Sequence, residues 1–136
     1  KLTTLLLSLI LVFGSTSCKY EDGPGVSLRS KKARVAGDWT IEKTIDEDGD
    51  VDTEWEGYEI NFDKDGTGKT SYTYTFAGVT TTSEITFTWE FSDSKKNLKI
   101  TDEDGDVTES LILRLANDEM WIKDTDDDYQ TNFKAK

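Results

Sequence analysis

Tyr72-Thr73-Tyr74-Thr75-Phe76, a turn at Ala77-Gly78, and then Ile85-Thr86-Phe87-Thr88-Trp89-Glu90-Phe91 decide how this chain folds. In both runs every second residue is aromatic or large and apolar. Successive side chains of a strand point to opposite faces, so strict alternation describes strands with one face buried and one wet. Thr at the intervening places agrees, because β-branched side chains pack well on a pleated surface. The two runs read as neighbouring strands.

The same rhythm extends in both directions. Trp39 and Ile41 alternate with Thr40 and Glu42, and Ile60 and Phe62 with Glu59 and Asn61. Leu111, Leu113 and Leu115 alternate with Ile112 and Arg114, and Tyr129, Thr131 and Phe133 close the chain. Turn signals fall between the runs at Asp48-Gly49, Asp65-Gly66, 93–97, Asp104-Gly105, Asn117-Asp118 and 124–128. Asp-Gly supplies the positive φ of tight hairpins. Eight strands follow, near 38–45, 54–62, 68–77, 82–92, 97–102, 106–116, 119–124 and 129–135. No helix of ten or more residues is available for a crossover, which excludes a parallel sheet. An antiparallel meander of eight strands hides its edges best by closing. The expected fold class is therefore all-β, an eight-stranded up-and-down barrel, with a sandwich as the alternative. Asp-Glu-Asp-Gly-Asp-Val occurs at 46–51 and again at 102–107 and reads as two similar turns. Ser27 to Ala36 reads as one short helix closing an end, capped by Ser27 and stopped by Gly37. Its Arg29, Lys31, Lys32 and Arg34 read as a solvated face, or as a contact for anionic lipid or lipopolysaccharide phosphates.

Leu5 to Phe13 is a nine-residue run in which only Ser8 is polar. A bilayer span takes about 20 apolar residues, so this run suits a signal-peptide core instead. Gly14-Ser15-Thr16-Ser17 lead into Cys18, the one cysteine. The stretch resembles a bacterial lipobox with Ser15 in the place where Leu is commoner. The resemblance implies a lipoprotein signal peptide over 1–17, a lipid on Cys18, a tether over 18–26 and a folded domain over 27–136. Lys19-Tyr20-Glu21-Asp22 resembles the Lys-plus-acid export tag of surface lipoproteins, which implies an outer-membrane protein displayed on the cell surface.

Composition removes several classes of function. With 136 residues the chain has one-domain length. Its net charge of −12, from 16 Lys plus Arg against 28 Asp plus Glu, repels phosphate and excludes a cationic nucleic-acid binder. The absence of His removes His triads, bases and metal ligands, and one Cys makes neither an internal disulfide nor a Cys-rich zinc site. Calcium loops of the EF-hand type need Gly at position six and Glu at twelve. Framed on Gly49, Gly66 and Gly105, position twelve falls on Trp55, Tyr72 and Leu111. No metal, cofactor or catalytic residue is assigned, and the chain is not read as an enzyme. Glu109 shares parity with Leu111, Leu113 and Leu115, so it either points inward as a ligand anchor or lies at the barrel rim in water.

Gly37-Asp38-Trp39 after a short helix, Phe62-Asp63-Lys64-Asp65-Gly66-Thr67-Gly68 and the eight alternating runs resemble the lipocalin-like domains of bacterial cell-envelope lipoproteins, which are calycin-type barrels. Asp128-Tyr129 is similar to the lipocalin Thr-Asp-Tyr turn, with Asp127 in the Thr place. The resemblance covers residues 27–136. It implies that Gly37 and Trp39 form the barrel floor, with Leu28 or Val35 packed beneath and Lys134 or Lys136 as the cation over the ring. It also implies a cup for one small apolar or amphipathic ligand. The wall of that cup is expected from Tyr72, Tyr74, Phe76, Phe87, Trp89 and Phe91. The function read from the sequence is a monomeric, lipid-anchored, surface-exposed protein that binds such a ligand. The alternative is a filled, non-catalytic barrel presenting acidic loops to a protein or glycan partner. Replacing Cys18 with Ala should abolish incorporation of labelled fatty acid, and incorporation that persists would disprove the lipobox reading.

Overall fold

A computed structural model describes residues 28–136. The segments expected to be a signal peptide and a tether, with Cys18 and Ser27, lie outside the described residues. The first element among the described residues is a five-residue helix, α1 (Lys31–Val35). The strands are β1 (Gly37–Ile45), β2 (Val51–Asp52), β3 (Tyr58–Phe62), β4 (Thr67–Phe76), β5 (Val79–Ser92), β6 (Asn97–Asp102), β7 (Val107–Leu115), β8 (Glu119–Asp124) and β9 (Gln130–Ala135). Neighbours pair antiparallel from β3 through β9, and β9 returns to β1 with Trp39 opposite Ala135 and Ile45 opposite Gln130. β3 pairs with the start of β1 and β2 with its end, so the two act as one interrupted strand. The result is a closed eight-stranded barrel, and closure excludes the sandwich.

The interruption replaces the expected strand 54–62. Asp52 Oδ1 accepts from the Glu54 N–H at 2.8 Å, and Gly57 turns back with φ +87°. A Cβ at Gly57 would lie 2.3 Å from the Thr73 carbonyl oxygen, so only glycine lets the chain pass there.

Expectation and structure also part at the helix. Ser30, not Ser27, is the N-cap, its hydroxyl accepting from the Ala33 N–H at 3.1 Å. The cap therefore sits three residues later than expected, and Leu28 is left fully exposed. Packing beneath the floor falls to Val35, which is fully buried. Trp39 is 2% exposed, and its indole N–H donates to the Val35 carbonyl at 2.8 Å. That carbonyl is one of the last-turn acceptors a helix cannot satisfy internally. Around this pair lie Phe62, Leu98, Leu115, Met120 and Phe133, so the core fills the helix end of the barrel. The cations expected over Trp39 go elsewhere. Lys136 pairs with Glu59, and Lys134 lies exposed between Phe133 and Ala135.

Two irregularities reset the alternation. Between Ile112 and Arg114 the β7–β8 register shifts, and a similar shift separates Ile41 from Lys43 in β1. One extra residue flips every later side chain to the other face. Ser110, Ile112 and Leu115 are therefore buried, while Leu111 and Leu113 are only partly so. Glu109, on the face opposite Ser110, does not point inward. Gly68 is opposite Phe87, and a Cβ there would meet the Phe87 ring at 2.4 Å, so the absence of a side chain makes room for the ring.

Trp39→Ala should cost about 3–5 kcal/mol of unfolding free energy in a urea titration, because it leaves a cavity and an orphaned carbonyl. Trp55→Ala should cost clearly less, since Trp55 is only half-buried. Equal losses would remove Trp39 from its place as the floor.

Candidate functional site at the barrel mouth

The six aromatic residues expected to form one wall do share a face, but β4–β5 pairing separates them along it. Phe87 lies opposite Gly68, whereas Tyr72, Tyr74 and Phe76 lie opposite Ser83, Thr81 and Val79. Phe87 and Trp89 belong to the filled floor. Trp89 meets the rings of Phe62 and Phe91 edge-on, each at 5.7 Å, and its N–H is shared between the Asp63 and Thr67 carbonyls at 3.0 Å. Phe91 is half-buried against the same core. Tyr72 is half-buried near the other end, while Tyr74 is 44% and Phe76 77% exposed.

Strand length causes the separation. β4 and β5 pair over ten residues, from Thr67↔Thr88 to Phe76↔Val79. Their outer neighbours stop early: β3 accompanies β4 only to Tyr72, and β6 accompanies β5 only from Phe87. Residues 73–82 therefore rise beyond the barrel as a two-stranded arm, while 83–86 stay beside residues 69–72 of the barrel wall. Its wet face carries hydroxyl pairs, Thr73 with Thr82 at 3.0 Å and Thr75 with Thr80 at 2.9 Å. Its other face continues the barrel interior and holds Tyr74, Phe76 and Val79, with Ile85 at its base opposite Thr70, all four exposed.

A row of rings joins this arm to the barrel. Trp55 packs edge-on against Tyr58 at 5.3 Å, Tyr58 stacks on Tyr72 at 4.2 Å, and Tyr72 stacks on Tyr74 at 5.6 Å. The Trp55 N–H donates to the Thr44 hydroxyl at 3.2 Å, and Thr44 is buried. Sequence reasoning missed Trp55 and Tyr58. Glu54 and Glu56 masked the first, but alternation backward from Phe62 and Ile60 reaches Tyr58 and could have found the second.

The turns at this end are acidic. Residues 46–56, 102–106 and 124–128 contain fifteen carboxylates and no Lys or Arg. The repeated motif folds twice into one turn. Asp46 Oδ1 accepts from the N–H groups of Asp48 and Asp50 at 3.0 and 2.8 Å, and Asp102 Oδ1 accepts from Asp104 and Asp106 at the same distances. These carboxylates are engaged by their own backbone. Among the described residues no three metal-ligating side chains come together.

Two grooves, of about 460 and 470 Å³, lie on the outer wall. Asn61, Lys69, Thr86, Thr88 and Thr101 edge the first, and Glu59, Lys69, Thr82 and Glu84 edge the second. Neither includes Tyr72, Tyr74, Phe76 or Trp89. Glu109 also faces outward. The Ser92 hydroxyl and, at 2.8 Å, the Asn97 amide donate to it and hold its pKa below the usual Glu value.

A family profile described as a lipocalin-like domain matches residues 35–122. No curated protein matches the chain. Among solved structures, the NMR structure of a protein from Bacteroides uniformis ATCC 8492 is similar at 19% identity and a TM-score of 0.53, covering 76% of this chain and 90% of that one. A de novo designed fluorescence-activating β-barrel is similar at 14% identity and a TM-score of 0.45, covering 79% and 100%.

The Glu109 hydrogen bonds have a pH signature. A carboxyl whose folded pKa is depressed contributes stability above its unfolded pKa, about 4.3, and loses it as pH falls through the lower folded value. The melting-temperature gap between the native protein and Glu109→Gln should be flat above about pH 5 and shrink below about pH 4. A gap independent of pH would show that these bonds do not distinguish charged from neutral Glu109.

Proposed function

The chain belongs to the lipocalin-like domain family, and from that premise we propose that it is a non-catalytic envelope lipoprotein, anchored through Cys18 and displayed outward, that holds a small apolar or amphipathic ligand at its mouth. One observation carries the ligand: the exposed face of Tyr74, Phe76, Val79 and Ile85 is continuous with the ring stack of Tyr72, Tyr58 and Trp55. Apolar patches left open on a small domain commonly mark where something binds. The helix end is occupied by Trp39, Phe62, Leu98 and Met120, so the ligand rests at the mouth and along the arm rather than deep in the barrel. The acidic turns around it favour a neutral or cationic head group over an anionic one.

Titration with fluorescent probes tests this. Uncharged N-phenylnaphthylamine should bind at micromolar affinity, and anionic parinaric acid should bind at least about 10-fold more weakly at low salt. Tyr74→Ser and Ile85→Ser should each weaken the uncharged probe about 10-fold, as expected when an apolar side chain is lost from a contact, while the fold survives. If no probe binds and both variants are silent, the barrel is a filled interaction module, and its partner recognises the acidic loops.

A further inference from the structure

Strand β5 has one long edge without a neighbour. Its partner β6 flanks it only from Phe87↔Asp102 onward, and among the described residues no strand pairs with 79–86 on that side. The Thr86 N–H faces that side, where Glu103 Oε1 accepts it at 3.3 Å. Backbone groups of an antiparallel strand turn alternately to its two sides, so Thr80, Thr82 and Glu84 direct their N–H and C=O outward with Thr86. The β4 edge of the arm is shorter. The Thr73 N–H already reaches the Gly57 carbonyl at 3.0 Å, which leaves Thr75 before the turn. Folded chains usually blunt an open edge with Lys, Pro or a bulge. Residues 79–86, Val-Thr-Thr-Thr-Ser-Glu-Ile-Thr, contain neither Lys nor Pro, and their pairing with β4 is unbroken. Their one charge, Glu84, is paired with Lys69 at 2.8 Å.

We propose that this edge pairs with the same edge of a second copy, so that the monomer expected from the sequence becomes a weak, concentration-dependent dimer. The pairing needs neither a ligand nor a lipid on Cys18. Two copies at −12 each repel, yet residues 70–83 hold no charged side chain in a chain that is 32% charged. The arm is therefore where two copies approach at least cost. The edge is also self-complementary. With Thr82 opposite Thr82, the outward-facing residues exchange hydrogen bonds at Thr82↔Thr82 and, on both sides of it, at Thr80↔Glu84. Val79 of each copy then lies opposite Ile85 of the other, and both are exposed in the single chain. Apolar β-branched pairs of this kind stabilise a sheet. Centring on Glu84 would set two carboxylates face to face, and centring on Thr80 would run past the Ala77-Gly78 turn. In the Thr82 register Gly78 of one copy meets Thr86 of the other, and the added strand ends where β6 begins. The two arms become one four-stranded sheet with a continuous apolar face.

Sedimentation equilibrium of the full chain in a density-matched detergent tests the pairing. An edge of this length belongs to the weak class of interfaces, and a monomer–dimer equilibrium with Kd of roughly 10–100 µM is expected. Thr82→Pro deletes the two central hydrogen bonds and should raise Kd at least about 10-fold, while an outward N–H on an edge strand is one the fold can spare. Thr75→Pro, on the β4 edge of the same arm, should leave Kd unchanged. Thr82→Glu should raise Kd about 5-fold, and mixing it with Thr82→Lys should restore association. Amide exchange at Thr80, Thr82 and Glu84 should slow as protein concentration rises, and exchange at Thr75 should not. A chain that stays monomeric through the top of that range, equal losses with Thr75→Pro and Thr82→Pro, or no recovery on mixing the two charge variants would each overturn the dimer. Slow exchange of the three amides in a chain that stays monomeric would give the edge to residues 1–27 and overturn it too.

Discussion

The indole N–H of Trp39, given to the carbonyl of Val35, is the bond on which the architecture turns. A five-residue helix has almost no stability of its own, because most of its backbone groups lie in end turns. The Trp39 bond satisfies one of its orphan acceptors and fixes where the helix lies. In return, Val35 seals the ring from below, and the core assembles around the pair. Gly37 connects them with φ +152°, a conformation that favours glycine. Helix, turn and first strand thus form one unit, and closure of β9 onto β1 is built against it.

Much of the barrel was legible because a barrel is a repetition of one period. Alternation located the strands, and Asp-Gly marked the turns between them. The places where the reading failed share a cause. Ser27 and Ser30 are both acceptable caps on paper, and it is the Ser30 hydroxyl that accepts from the Ala33 N–H. Glu54-Trp55-Glu56 continues a strand pattern on paper, but Gly57 passes so close to Thr73 that the backbone must leave the ladder. Leu111, Leu113 and Leu115 look like one stripe, yet an extra residue before Arg114 divides them. Bulges, caps and close approaches depend on partners distant in sequence, which no local period records.

The site was half legible for a related reason. Tyr72, Tyr74, Phe76, Phe87, Trp89 and Phe91 were placed on one face by parity, and parity is correct there. What parity lacks is height along the barrel. The lengths of β3 and β6 set that height, and they divide the six rings into a floor group and a mouth group. The stack from Trp55 to Tyr74 forms because Tyr58 lies directly opposite Tyr72, a register fact that composition does not contain.

The arm of residues 73–82 carries a further consequence for how the molecule breathes. An isolated two-stranded ribbon is marginal in water, since each strand is hydrogen-bonded along one edge only. Its amides should therefore exchange with solvent through small local openings, while those near Trp39 exchange through global unfolding. The recognition face and the scaffold become separate cooperative units. The arm can reshape around what it meets without loosening the floor, and ordering it costs part of the affinity that its apolar face supplies.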